Sequence, residues 1–348
     1  MSTLVRDFKS GGVCTDNDEH GHRDPSRHAH TVMEHAKSRI RAFLKKLPLI
    51  GRAYQQRDEL RAIIQQLWEP PGHFYSPIPS DAEVRQRESA IFDATSPIVL
   101  GVDMNEAGQL QLLSSLAPFY REQPFPITRE EGLRYFFENG AFSYFDAIIL
   151  YSMLRHLRPR RVIEIGCGYS SCVLLDTNEL FFNNGIDCTF IEPYPQLLMS
   201  LMKEGDASRI TVIPSNLQDV DPCVYAGLEP NDILFVDSSH VSKTGSDVNF
   251  VFFDILPRLA PGVYIHFHDV FHPFEYPKAW VYQGRAWNEA YLLRAFLQHN
   301  DAYAIQLSNS FLEHFHRDAI ERDMPLCLNY AKESMVPTSA QSIWLKKL

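Results

Sequence analysis

The sequence predicts an α/β fold: one mostly parallel sheet covered by helices on both faces. Beyond Pro159, short apolar runs at 161–165, 188–191, 210–213, 233–236 and 262–267 are bounded by turn residues. Each run is apolar at successive rather than alternate positions, the pattern of strands buried on both sides. Helical patterns separate the runs, and strands alternating with helices build a parallel sheet. Ligands of such sheets bind beyond the carboxyl ends of the strands, so the residues that follow each run are where chemistry is expected.

The chain of 348 residues is 45% hydrophobic and 22% charged, enough apolar surface for a large core. Its 33 basic and 43 acidic side chains leave a formal net charge of −10, which argues against a general nucleic-acid binder. The six cysteines, Cys14, Cys167, Cys172, Cys188, Cys223 and Cys327, form no CxxC pair. Neither a zinc cage nor a disulfide framework is indicated, and a reducing compartment is expected. The polar N-terminus lacks the apolar core of a secretory signal. No apolar stretch approaches the roughly 20 residues of a membrane span. A cytoplasmic enzyme is therefore the expectation.

Residues 1–35, polar and holding His20, His22, His28, His30 and His35, read as a disordered arm. Over 36–70, apolar residues recur at helical spacing among Arg and Lys, giving two basic amphipathic helices interrupted by Pro48 and Gly51. Peripheral membrane contact through residues 37–67, docking on a partner and packing on the chain itself all fit that pattern. The Pro- and Gly-rich stretch at 70–79 predicts an extended, rigid strap whose His73, Phe74 and Tyr75 need a surface to cover. Helical periods return at 105–120 and 129–157. The expected organisation is an N-terminal cap over 71–138 and a binding and catalytic domain over 139–348.

The first run ends in Glu164-Ile165-Gly166-Cys167-Gly168-Tyr169-Ser170-Ser171. Glycines there let backbone turn tightly and approach a ligand, and the following helix offers free N–H donors. A dinucleotide fold prefers a glycine where Ser171 stands. Glu164 suits a ligand with a positively charged amino-acid end. The second run is followed by Glu192, a two-oxygen acceptor placed for the hydroxyls of a ribose or, on the plainer reading, a helix cap.

Glu164-x-Gly166-x-Gly168, Glu192, the segment from Asp232 through Asp237 to His240, then Leu259-x-Pro261-Gly262-Val263 and His268-Asp269, together resemble the motif series of class I S-adenosylmethionine-dependent methyltransferases. The chain is most similar to a bacterial small-molecule branch with Asp-x-x-His and His-Asp at the fourth and fifth strand ends. The resemblance implies a Rossmann-like, seven-stranded, mostly parallel sheet with the last strand antiparallel, and a helical N-terminal extension capping the site. It places S-adenosylmethionine against Glu164, Gly166, Gly168, Ser170, Glu192, Asp237 and Ser239, with Gln218 and Asp219 near the adenine. The Asn-Pro-Pro-Tyr signature of amino-group DNA methylation does not follow the fourth strand, so a small-molecule acceptor is expected rather than nucleic acid.

Asp237, His240, His268 and Asp269 come from neighbouring strand ends and form the expected catalytic group. Either histidine serves as general base, its tautomer fixed by a carboxylate. Alternatively Asp237, Asp269 and a histidine hold a divalent metal. Two histidines are unusual for Mg²⁺, so no metal is assigned, although one is compatible with the pattern. His266, on an apolar strand, reads as a core residue. Tyr276 and Trp280 belong to an aromatic loop that is either a lid over substrate or an anchor to the core. Tyr75, Asn139, Tyr144 and Asp146 are the remaining candidates for substrate or the methionine end. The expected activity is methyl transfer to O or N of a small molecule in secondary metabolism. The alternatives are cyclisation of S-adenosylmethionine to azetidine-2-carboxylate, with release of methylthioadenosine, and a non-catalytic binding role.

Overall fold

A computed structural model describes residue 44, residues 48–93 and residues 96–348. The expected arm at 1–35 and the first of the two basic helices lie outside the described residues. The chain divides into two compact units, Met1–Pro70 and Pro71–Leu348. Residues 71–138 and 139–348 thus share one unit.

In the first unit, helix α1 spans Pro48–Gln65 without a break. Gly51 does not interrupt it, and the residues just before Pro48 lie outside those described. Pro48 occupies the first helical position, where a missing N–H costs nothing, and Gly51 falls in the same turn, where it costs about 1 kcal/mol at most. Leu60, Ile63, Ile64 and Leu67 are exposed. No helix of the described residues is long and apolar enough to cross a membrane.

The second unit opens with residues 70–79, which fold back on themselves instead of running extended. The Gly72 N–H donates to the Ile78 carbonyl at 3.0 Å and the Ser76 N–H to that of His73 at 2.8 Å. Phe74 and Tyr75 stay exposed, because a closed loop turns their side chains outward. Short helices α2 (Asp81–Gln86) and α3 (Glu88–Phe92) follow, then α4 (Glu106–Tyr120). The helix expected from residue 129 begins only at Tyr144, as α5 (Tyr144–Leu157). Polar pins hold the intervening segment irregular. The buried Arg134 guanidinium meets Asp176 at 2.6 Å, Asp206 at 2.5 Å and Glu179 at 2.8 Å. A helical backbone there would strip those charges of partners in a dry interior.

From β1 (Arg161–Ile165) the chain alternates strand and helix: α6 (Tyr169–Phe182), β2 (Asp187–Ile191), α7 (Gln196–Leu201), β3 (Thr211–Ile213), α8 (Cys223–Ala226) and β4 (Ile233–Val236). Next come α9 (Asp247–Phe250), β5 (Tyr264–Phe267), α10 (Lys278–Tyr282), α11 (Glu289–Leu297), β6 (Tyr303–Ser308), α12 (Asn309–Phe315), α13 (Arg317–Asp323) and β7 (Ile343–Lys347). The seven strands lie in the order β3-β2-β1-β4-β5-β7-β6. β1 to β5 pair in parallel, and β7 runs antiparallel to both its neighbours. Every residue of β4 and β5 is buried, as strands covered on both faces must be. Twelve of the fourteen residues of α5 are buried as well, so it is a core element and not a surface helix.

His266 fits its expected core place. Its ring lies 3.9 Å from that of Phe235 and 4.8 Å from that of Trp344. Burial holds its pKa well below the ordinary value, so it is neutral.

Candidate active site

The sheet ladder continues one step beyond the strands and sets the site residues side by side. The Gly166 N–H donates to the Ile191 carbonyl at 3.0 Å, and that of Asp237 to Ile165 at 2.9 Å. Likewise Glu192 donates to Ile213 at 3.2 Å and His268 to Val236 at 2.9 Å. Four elements thus deliver their next residues to one edge, at the point where the strand order reverses direction. A cleft of about 500 Å³ lies there, lined by Gly166, Glu192, Gln218, Asp237, Ser239 and Asp247, among others.

Gly166 sits at φ +76°, and a Cβ on it would come 1.8 Å from the Asp237 carbonyl oxygen. Only glycine lets the β1 and β4 ends approach this closely. Glu192 is fixed by accepting the Tyr194 N–H at 2.8 Å. Gln218 donates to the Gly245 carbonyl at 2.6 Å. Ser239 donates both its N–H, at 2.9 Å, and its hydroxyl, at 2.6 Å, to Asp247. Asp247 was not among the expected residues; its position, directly after Ser246, reads in sequence only as a helix start.

Several expected ligand residues have other work. Glu164 is buried and takes the Ser170 hydroxyl at 2.5 Å, so the pair braces the glycine turn from beneath and neither lines the cleft. Burial pushes the Glu164 carboxyl up to about 8, against the hydroxyls of Ser170 and Ser171 that lower it. Gly168 caps α6, its N–H donating to the Ser171 hydroxyl at 3.1 Å. Asp219 is not among the residues lining the cleft and accepts from Asn216 at 3.2 Å.

The Glu164 environment gives a sign that can be tested. A carboxyl raised above its unfolded value of 4.5 contributes stability fully present below pH 4.5 and lost as pH rises through about 8. Glu164→Gln keeps the hydrogen-bonding shape without the proton. Its denaturation midpoint should match the parent near pH 4.5 and exceed it above pH 8, by on the order of 1–3 kcal/mol. Parallel pH profiles for the two proteins would remove this account.

Among the substrate candidates, Asn139 is spent on its own loop, accepting from the Phe142 N–H at 2.8 Å and donating to the Phe142 carbonyl at 2.8 Å. Tyr144 stacks on Phe137 at 4.8 Å and donates its hydroxyl to Glu138 at 2.9 Å. Tyr75 is exposed on the folded-back loop and lines no part of the cleft. Trp280 is buried with Phe271, Tyr276 and Ala290 in a small second core, which makes it an anchor for the aromatic loop and not a lid. The Tyr276 hydroxyl accepts the Ala290 N–H at 3.0 Å, while its ring faces a cavity.

The four catalytic candidates do converge. Asp237 Oδ1 lies 3.2 Å from His240 Nε2 and 3.5 Å from His268 Nδ1. Asp269 stands 3.5 Å from each of the same nitrogens. His268 Nε2 is 3.4 Å from Asp146, which is itself tied down by the Ser342 hydroxyl at 2.6 Å and Asn309 at 2.7 Å. Asp146 is therefore a positioning residue behind His268. The remaining ring nitrogen, His240 Nδ1, meets Glu289 at 2.9 Å. No sequence signal marks Glu289, because its partner is 49 residues away. The His240 carbonyl accepts from the N–H groups of Asn288 and Glu289 at the start of α11. His240 and Asp269 are both at positive φ, 58° and 57°, a conformation that non-glycine residues rarely adopt outside turns and functional sites.

Charge follows from this geometry. Burial disfavours imidazolium, but the bonds to Asp237 and Glu289 outweigh it and raise the His240 pKa to about 10. His268 is raised well above its ordinary value by Asp269 and Asp237. Burial tends to raise Asp237, yet His268 and His240 hold it well below the carboxylate range. Burial wins at Asp269 and Glu289, which are raised. Four carboxylates, of Asp146, Asp237, Asp269 and Glu289, thus face two histidines, and the cluster opens onto the cleft through Asp237. One ligand atom each from Asp237, His240 and Asp269 lies within 4.8 Å of the others.

Residues 163–270 match the family model described as a methyltransferase domain. The chain is 39% identical over 183 residues to an uncharacterised protein of Archaeoglobus fulgidus, an alignment covering 50% of this chain and 81% of that protein. Among solved structures it is similar to the methyltransferase PaMTH1 of Podospora anserina bound to S-adenosylhomocysteine, at 14% identity and a TM-score of 0.39 over 78% of this chain and 99% of that one. A second is the O-methyltransferase TomG of Streptomyces achromogenes in complex with S-adenosylmethionine, at 19% identity and a TM-score of 0.32 over 64% of this chain and 87% of that one. The fold is a seven-stranded, mostly parallel Rossmann-like sheet with helices on both faces. Over residues 163–270 the chain carries a methyltransferase domain, and it shares a family with the uncharacterised Archaeoglobus fulgidus protein.

Proposed function

We propose that the protein transfers the methyl group of S-adenosylmethionine to an oxygen or nitrogen of a small molecule. The observation that carries this reading is the strand-end cleft lined by Gly166, Glu192, Gln218 and Asp237, onto which the converging cluster of Asp237, His240, His268 and Asp269 opens. S-adenosylmethionine, when bound, supplies an electrophilic methyl to a nucleophile held in line. Glu192 accepts from the ribose hydroxyls, and Gln218 borders the adenine. Gly166 keeps backbone clear of the adenosine.

Asp237 and Asp269 hold the imidazoles in place. In the free protein the rings are protonated at neutral pH, so they are acids there. A second positive charge beside Asp237 takes over part of that carboxylate's compensation and lowers the ring pKa values. His240 is then able to lose its proton and accept one from the acceptor. Base assistance of this kind is worth about 10²–10⁴-fold, and in-line placement about 7–11 kcal/mol in favourable cases.

The convergence of Asp237, His240 and Asp269 supports a second reading of the same cluster. Once His240 has lost its Nε2 proton, with Glu289 taking Nδ1–H, Nε2 would present a lone pair beside two carboxylates, the orientation that an outer carboxylate imposes on metal-binding histidines. These three residues would hold a divalent cation, which would acidify an acceptor hydroxyl.

Purified protein incubated with S-adenosylmethionine and a panel of small hydroxyl and amine compounds should release S-adenosylhomocysteine only when an acceptor is present. Methylthioadenosine in the absence of acceptor would overturn methyl transfer in favour of cyclisation. Turnover that survives exhaustive chelation assigns the cluster to base catalysis, and turnover restored only by added metal assigns it to the cation.

A further inference from the structure

Behind the catalytic cluster lies a second cavity, of about 340 Å³. Trp287 forms the partition: its ring lies 4.4 Å from the His240 ring on one side, tilted by 36°, and lines the cavity on the other. Phe92, Tyr276 and Tyr291 complete an aromatic enclosure. The wall contributed by α2 and α3 is fastened to α10, Glu88 taking Lys278 at 2.5 Å and the Tyr282 hydroxyl at 2.6 Å. The volume suits a single small ligand, and flat rings on several sides suit a flat one.

Two charged groups reach this cavity, and their situations differ. Glu275 is compensated, since its Oε1 accepts the Tyr291 hydroxyl at 2.5 Å and the Tyr276 N–H at 2.9 Å. The Arg285 guanidinium lies over the rings of Trp280 at 4.3 Å and Trp287 at 4.7 Å. Among the described residues it has no carboxylate within ion-pair distance. The two rings hold the guanidinium in place, and among the described residues no protein acceptor takes a hydrogen bond from it. A half-buried cation in that state favours a planar anion, which it can meet with two parallel hydrogen bonds.

We propose that this cavity binds an aromatic carboxylate whose anionic group is held by Arg285. The site stands on the cavity and on Arg285, independently of the methyltransferase reading. The aromatic walls hold the ring and Arg285 sets its orientation. Trp287 and His240 are next to each other, so a ring seated against Trp287 has the catalytic cluster on the far side of that indole.

Isothermal titration of protein saturated with S-adenosylhomocysteine, using 2-naphthoate and its uncharged analogue 2-naphthamide, tests this. The carboxylate should bind at least about tenfold more tightly than the amide. Arg285→Met, which keeps an unbranched stem on the tryptophans, should erase that preference, and Arg285→Lys should restore part of it. Both variants should bind S-adenosylhomocysteine as the parent does and show the parent's melting temperature. Equal binding of acid and amide, a preference that persists in Arg285→Met, or no binding of naphthoate by protein that binds S-adenosylhomocysteine would each overturn the proposal. Protein that takes naphthoate through Arg285 but binds no S-adenosylhomocysteine would uphold the anion site and overturn the methyltransferase reading.

Discussion

Replacing Gly166 by alanine should abolish measurable binding of S-adenosylmethionine and lower stability by about 3 kcal/mol, the upper part of the range for forced strain at a special backbone position. Two penalties coincide there. The residue sits at φ +76°, where an L side chain is strained, and the added methyl would stand 1.8 Å from the Asp237 carbonyl oxygen. That oxygen belongs to backbone and has no rotamer in which to retreat. The β1 and β4 ends must therefore separate, and the Asp237 N–H to Ile165 carbonyl bond of 2.9 Å is the first ladder contact at risk. Separation also moves Asp237 away from His240 and His268, so the cleft floor and the catalytic cluster are disturbed together. Gly140→Ala is the matched control: a Cβ there would meet no atom within 4 Å and the φ is not positive, so stability should change by less than about 1 kcal/mol. Chemical denaturation and calorimetric titration of both variants measure the contrast. A Gly166→Ala protein with parental affinity would show that the turn does not govern the cleft.

How far the sequence revealed this arrangement depended on how local the cause was. The strands at 161–165 and 233–236 were legible residue for residue because a doubly covered strand is written as an unbroken apolar run between turn residues. Gly166 and Glu192 were legible for a related reason, since the fold exposes whatever follows such a run. The segment at 129–143 was not. Its apolar spacing looks helical, but its conformation is set by Arg134 reaching Asp176 and Asp206, 42 and 72 residues away. Glu289 escaped notice in the same way, as a carboxylate in a helix whose meaning comes only from His240 across the fold. Glu164 and Ser170 carried a motif whose local partnership the sequence did not reveal: both are buried and Ser170 donates to Glu164, because alternation along β1 directs Glu164 into the interior. The aromatic loop showed the opposite failure. Its composition suggested contact with a ligand throughout, whereas only one side of the Trp280 and Trp287 pair faces a cavity and Trp280 is used to hold the loop down.

Asp237→Asn should reduce methyl transfer by about 10²–10⁴-fold while leaving the fold intact, the loss expected when a general base is no longer oriented or driven. The asparagine fills the same space, so packing against Gly166 is preserved. What it removes is the nearer to His240 of the two carboxylates that both histidines share, 3.2 Å from His240 and 3.5 Å from His268. His240 then retains Glu289 at 2.9 Å and Asp269 at 3.5 Å, so its pKa should fall from about 10 toward, but not to, the ordinary value of 6.5. The sign of the accompanying stability change is fixed. A histidine raised in the folded state contributes stability fully present below pH 6.5 and lost as pH rises through about 10, and Asp237→Asn should shrink that contribution and flatten the decline across the same window. Glu289→Gln separates orientation from charge on the cleft side, because it weakens the hold on Nδ1 and leaves Asp237 in place. If Asp237 acts through His240, both variants should lower the imidazole pKa measured by NMR titration, with the larger fall in turnover at Asp237. If Asp237→Asn keeps more than about a third of parental turnover, the Asp237 carboxylate is a structural tie between two buried imidazoles and the base must be sought elsewhere in the cluster.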